Sequence, residues 1–140
     1  MKKNFDKCLS MLLHHEGGFV NHVDDPGGPT NLGVTQKVYE EWVGHKVTIE
    51  DMKNLDFTKV APIYRKNYFD GVRFDDLPSG VDWSVVDWGV NSGPGRAAKA
   101  LQRIIGSTAD GAIGPKTLQA VSDMEPRDII EKMHDARQSF

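Results

Sequence analysis

The chain has 140 residues with 17 basic and 20 acidic side chains, a net charge of −3. That length holds one domain, or two small lobes sharing a core, and 39% apolar with 26% charged residues describes a globular chain, not a disordered one. The composition lacks the basic signature of a dedicated nucleic-acid binder, the single Cys8 rules out an internal disulfide, and no apolar run nears the ~20 residues that span a bilayer.

At the N-terminus, Lys2 and Lys3 precede Phe5 and an apolar cluster at 9–13. Asn4, Asp6, Lys7 and Ser10 interrupt any secretory core, and no small-residue cleavage site follows, so an amphipathic helix without an export signal is expected. Phe5, Cys8, Leu9, Leu12, Leu13 and Glu16 fall on one helical face, and Gly17-Gly18 supplies the stop. Residues 18–34 hold six glycines or prolines and read as a structured loop with short strands at 18–21 and 32–34.

Thr35 is placed to cap a helix carrying Val38, Tyr39, Trp42 and Val43 and closed by Gly44. Thr48 with Asp51 opens a short helix, and Thr58 opens another through Tyr64 and Tyr68 to Gly71, with Pro62 bending its start. The apolar residues of 80–91 lie nearly all round the helix, the mark of a buried central element in which Trp83 and Trp88 read as core. Further helices carry Ala97 to Ile105, Pro115 to Val121, and Pro126 to Ala136, giving a mainly α class with five to seven helices around 80–91.

Three groups of residues compete for chemistry. In H-E-G-G-F at 15–19, Glu16 follows Leu12 and Leu13 on the apolar stripe, and a carboxyl set against a packed face holds a proton more readily. A lone Glu at a helix end is more often a solvated last turn. The loop that follows shifts the balance, because Asp24, Asp25, Thr30, Asn31 and Thr35 add carboxylate, hydroxyl and amide groups, the minimum for glycoside hydrolysis. In the second group, Asp82 and Asp87 on the central helix need partners such as Arg73 or Arg96, or else face a cleft, and Asn91 and Ser92 at its end can hydrogen-bond a sugar. In the third, His14, His15, His22 and His45 present no three-ligand spacing, so neither metal nor cofactor is expected.

The run H-E-G-G-F-V-N-H-x-x-D-P-G-G-x-T-N-x-G-V-T at 15–35 resembles the signature of glycoside hydrolase family 108, the lysozyme-like N-acetylmuramidases of phages, prophages and bacteria. The resemblance implies a lysozyme-like helical fold with a Gly/Pro-rich catalytic loop in which a short β-hairpin is expected, and it implies Glu16 as the catalytic acid. The order Glu16, Asp25, Thr30 is also similar to the E-x8-D-x5-T triad of phage-type lysozymes, one residue shorter before the threonine. Pro29 stands where a smaller residue is usual and should stiffen the loop. The stretch at 77–102, followed by A-D-G-A-I-G-P-K-T-L at 109–118, resembles the predicted peptidoglycan-binding module of the same family.

A catalytic lobe at 1–72 and a peptidoglycan-binding lobe at 73–140 are therefore expected, together one compact unit. Glu16, Asp25 and Thr30 are the expected catalytic residues, and Asn31, Thr35, Asn91 and Ser92 the expected substrate contacts. Two alternatives stand beside the muramidase: a lytic transglycosylase using Glu16 alone, and a wall-binding or export accessory protein without turnover. Since the net charge repels an anionic polymer, local groups such as Arg73, Arg96 and Lys99 are candidates for recognition. With bacterial peptidoglycan as partner and no export signal, the expectation is synthesis in the bacterial cytoplasm and action at the wall, after release through a phage holin or another secretion route. Family members usually continue past the R-x-x-F at 137–140, so the chain reads as short at its C-terminus.

Overall fold

The computed structural model describes residues 1–21 and 28–139. Among them the elements are α1 (Phe5–Glu16), β1 (Thr30–Asn31), β2 (Val34–Thr35), α2 (Gln36–Val43), α3 (Ile49–Lys53), α4 (Phe57–Tyr64), α5 (Val81–Ser92), α6 (Pro94–Ile105), α7 (Pro115–Ser122) and α8 (Pro126–Gln138). The class is mainly α, as the periodicity predicts. No helix of the described residues is long and apolar enough to cross a membrane. The chain forms two compact units, Lys7–Tyr64 and Met1–Asp6 with Arg65–Phe140.

In the Lys7–Tyr64 unit, α1 buries Cys8, Leu9, Leu12 and Leu13, the stripe its spacing predicts. Thr35 caps α2 by accepting from the Val38 N–H at 3.1 Å, and Gly44 closes that helix at φ +81°. Thr48 and Asp51 form a reciprocal capping box on α3, with bonds of 3.0 and 2.9 Å. Hydrogen bonds from the Thr48 backbone N–H and then its hydroxyl hold the Asp51 carboxyl below the usual range.

Two local expectations shift. The fourth helix starts at Phe57, capped by Asp56 Oδ1 accepting from Lys59 N at 2.9 Å, so Thr58 lies inside it. Pro62 offers no N–H to the Thr58 carbonyl, and after Tyr64 the α-helix gives way to a π-turn over Arg65–Phe69 and 3-10 turns over Asp70–Val72 and Phe74–Asp76. The loop carries the short β-hairpin expected of it, but the paired strands are β1 and β2 in place of 18–21 and 32–34, with a single bridge from Val20 to Thr30. Leu32 and Gly33 form the hairpin's turn and so cannot be strand.

In the other unit, α5 packs against α6 and α8 and buries Val81, Val85, Val86, Trp88 and Gly89. A Cβ on Gly89 would lie 3.3 Å from Pro94 Cα, so this glycine lets α6 start hard against α5. Phe69 is wedged edge-on between Phe5 and Phe74, with ring centroids 4.8 and 4.7 Å away. Pro115 and Pro126 open α7 and α8 as first residues, where the missing N–H costs nothing.

The two α5 carboxylates take partners other than those expected. Asp82 is only 1% exposed and accepts from the Met1 amino group (2.6 Å), Asn4 Nδ2 (2.9 Å), Gly80 N (2.9 Å) and Trp83 N (2.7 Å). Asp87 pairs with Arg137 at 2.5 Å, while Arg73 pairs with Asp76 at 2.9 Å. Each partner of a buried or half-buried carboxylate is thus chosen by packing, over separations of 81 and 50 residues.

Candidate active site

Glu16 is the last residue of α1. Leu12 and Leu13 before it are buried, but Glu16 is exposed, and Gly17 follows it at φ +81°, where the chain leaves the helix. The burial that its spacing suggests is therefore not observed. Its carboxylate makes no hydrogen bond or ion pair with another described residue.

What lies beside Glu16 is the tip of the β1–β2 hairpin. Thr30 pairs with Thr35 and Asn31 with Val34, leaving Leu32-Gly33 as a two-residue turn with φ of +51° and +77°. Both central φ positive is the type I′ pattern, whose twist matches the flanking strands. Glycine suits it, but a leucine in the left-handed region costs about 1–2 kcal/mol.

Two side chains hold that turn. Tyr64 at the end of α4 donates its hydroxyl to the Leu32 carbonyl at 2.8 Å. Asn31 is 6% exposed, and its amide donates to Met52 O at 2.9 Å and to Lys53 O at 3.3 Å. A Cβ on Gly33 would collide with the Tyr64 hydroxyl and come within 3.0 Å of Glu16 Oε2. Gly33 is thus the point where the hairpin, Tyr64 and Glu16 meet, with room for a hydrogen and nothing larger.

The other expected site residues separate into distinct places. Thr30 is half-buried in β1, clamped by the paired Val20–Thr30 backbone bonds of 2.7 and 2.8 Å, and its hydroxyl has no hydrogen-bond partner among the described residues. Thr35 directs its hydroxyl to capping α2, and the Asn31 amide to anchoring the hairpin. Asn91 is exposed on α5 with its amide turned back to Asp87 O at 3.0 Å, and Ser92 ends that helix. Asp25, with Asp24 and His22, lies outside the described residues.

Sequence reasoning misses Tyr64 and Gly33. Tyr64 sits on the buried stripe with Val60 and Ile63, which marks it as core and hides the use of its hydroxyl. The only local signal for the turn is a glycine between two short polar–apolar pairs.

The family described as Glycosyl hydrolase 108 matches residues 9–93, more than half of the chain. The chain belongs to the glycosyl hydrolase 108 family. It is a peptidoglycan hydrolase, and a second match, to the Predicted Peptidoglycan domain, takes residues 96–140 of this glycosyl hydrolase 108 chain. Among solved structures it is similar to the one titled "Structure of Brucella abortus SagA", at 45% identity and a TM-score of 0.82, covering 99% of this chain and 80% of that one. No curated protein matches it.

In the peptidoglycan-domain region of this glycosyl hydrolase 108 protein, one buried side chain organises the 107–117 segment. Gln102 is 0% exposed; its Nε2 donates to Asp110 Oδ1 (2.9 Å), Ala112 O (3.0 Å) and Thr117 Oγ1 (3.2 Å). Its Oε1 accepts from Gly111 N at 2.8 Å. Bonds from the Ala112 backbone N–H and then the Gln102 amide hold the Asp110 carboxyl below its usual range. The A-D-G-A-I-G-P-K-T-L run is thus a loop wrapped on one amide.

Proposed function

We propose that the chain is a muramidase that hydrolyses the β-1,4 bond between N-acetylmuramic acid and N-acetylglucosamine, with Glu16 as proton donor. The observation that carries this reading is the exposed Glu16 carboxyl, uncommitted to any described residue, beside a hairpin that begins at Thr30. Protonated Glu16 gives its proton to the glycosidic oxygen as the C1–O bond breaks. Asp25 stabilises the positive charge developing on the sugar or takes a proton from the water that adds at C1, and the Thr30 hydroxyl orients that water. The anomeric outcome follows from the carboxylate separation, about 6.5–9.5 Å for inversion and about 5 Å for retention.

The setting we infer is that of an endolysin, made in the bacterial cytoplasm and released by a holin to reach the wall. Mass spectrometry of fragments released from sacculi tests the reaction. Reducing muramic ends are expected, together with a severe loss of turnover in Asp25→Ala and a smaller one in Thr30→Ala. Products ending in 1,6-anhydromuramic acid, with Asp25→Ala fully active, would replace the hydrolase by a transglycosylase. Binding to sacculi with no soluble product would leave only an accessory protein.

A further inference from the structure

Between Asp87 and Asp110 charge is one-sided: residues 88–109 contain Arg96, Lys99 and Arg103 and no Asp or Glu, in a chain of net charge −3. Asp87 itself is committed to Arg137 at 2.5 Å. Arg96, Lys99 and Arg103 stand at i, i+3 and i+7 on α6, all exposed, on the side of the helix away from its buried Ala97, Ala98 and Leu101. They border a groove of about 600 Å³ whose floor is apolar, with Trp88, Ile104 and Ala136 among its lining. No acidic side chain lines it among the described residues, and Lys99 and Arg103 have no ion-pair partner there.

A solvated helix face usually carries charges of both signs. This one is of a single sign and borders a concave apolar floor, which fits an anionic chain with some apolar surface. From Arg96 to Arg103 the helix rises roughly 10 Å, the reach of about three extended peptide residues. In peptidoglycan the N-acetylated glycan with amide-linked stems is neutral, and the free carboxylates sit on the peptide stems. We infer that the Arg96–Lys99–Arg103 groove is a subsite for the carboxylate-bearing stem peptide of peptidoglycan. The inference rests on peptidoglycan being the partner and adds which part of it this unit holds.

The test is a titration of the full chain with an N-acetylmuramyl peptide, which has no β-1,4 bond to cut, so that binding is read apart from hydrolysis. The expected result is a Kd about tenfold weaker for Lys99→Gln/Arg103→Gln, and weaker again for Lys99→Glu/Arg103→Glu, both at an unchanged melting temperature. Amidating the ligand's carboxylates should weaken binding to the parent chain to the same level and leave the variants unaffected. Equal Kd values for parent and variants, or for free and amidated ligand, would overturn the inference. So would a groove that prefers glycerol phosphate polymer to the stem, or one that joins two copies of the chain, seen as a dimer that the substitutions dissociate. A parent chain that releases nothing from sacculi would sink the hydrolase reading and leave this titration standing.

Discussion

Two polar groups in each unit are used in opposite ways. In the unit holding α5 and α6, Asp82 and Gln102 are buried and each makes four hydrogen bonds. In the Lys7–Tyr64 unit, Glu16 and the Thr30 hydroxyl make no bond to a described residue, and beside them a leucine is held in the left-handed region. Satisfied buried groups fix a fold, since leaving one unmet costs about 1–3 kcal/mol. Groups left open on a rigid, strained support are what a substrate can use.

Single substitutions can break that contrast. Gln102→Leu keeps the volume but strips partners from Gly111 N, Ala112 O and Thr117 Oγ1, and should cost about 3 kcal/mol in denaturant unfolding. An unchanged midpoint would mean that the amide is not what holds the 107–117 segment. Gly33→Ala should cost about 2 kcal/mol and lower turnover about tenfold or more, because the new methyl must displace the Tyr64 hydroxyl or Glu16. Wild-type turnover in that variant would detach the hairpin tip from the chemistry. Tyr64→Phe removes one hydrogen bond to Leu32 O and should cost about 1 kcal/mol, with a smaller loss of turnover than Gly33→Ala.

The last and smallest effect is a pH dependence. Asp110 and Asp51 have folded carboxyls below the ordinary value of 3.8, so the stability they contribute is present above that value and is lost as pH falls through the lower, folded one. Amide exchange at Ala112, bonded to Asp110 Oδ1 at 2.9 Å, should stay protected down to about pH 4 and rise below it, after correction for intrinsic rates. Protection already lost above about pH 4 would contradict the direction given for Asp110.

Helix punctuation is legible from the sequence because it is local. Thr35, Thr48, Gly44, Gly106, Pro115 and Pro126 each act within one turn of where they stand, and the structure uses each as its chemistry suggests. Partner choice is not legible. Asp82 meets the Met1 amine, Asp87 meets Arg137 and Tyr64 meets Leu32 O because of how the chain packs, over separations of 32 to 81 residues. Glu16 shows the boundary between the two cases: its place at the end of α1 follows from Gly17, but its exposure depends on how the chain leaves the helix. The hairpin falls a few residues from its expected place for the same reason, since Leu32 has no intrinsic preference for a turn.

The most direct measurement is the release of reducing ends from purified sacculi by Glu16→Gln against the parent chain, at matched concentration and melting temperature. Glu16 acting as proton donor implies a loss of about 10²–10⁴-fold, the usual contribution of a positioned general acid, with the fold intact because Glu16 makes no bond to a described residue. A Glu16→Gln protein that releases reducing ends at the parental rate would contradict it.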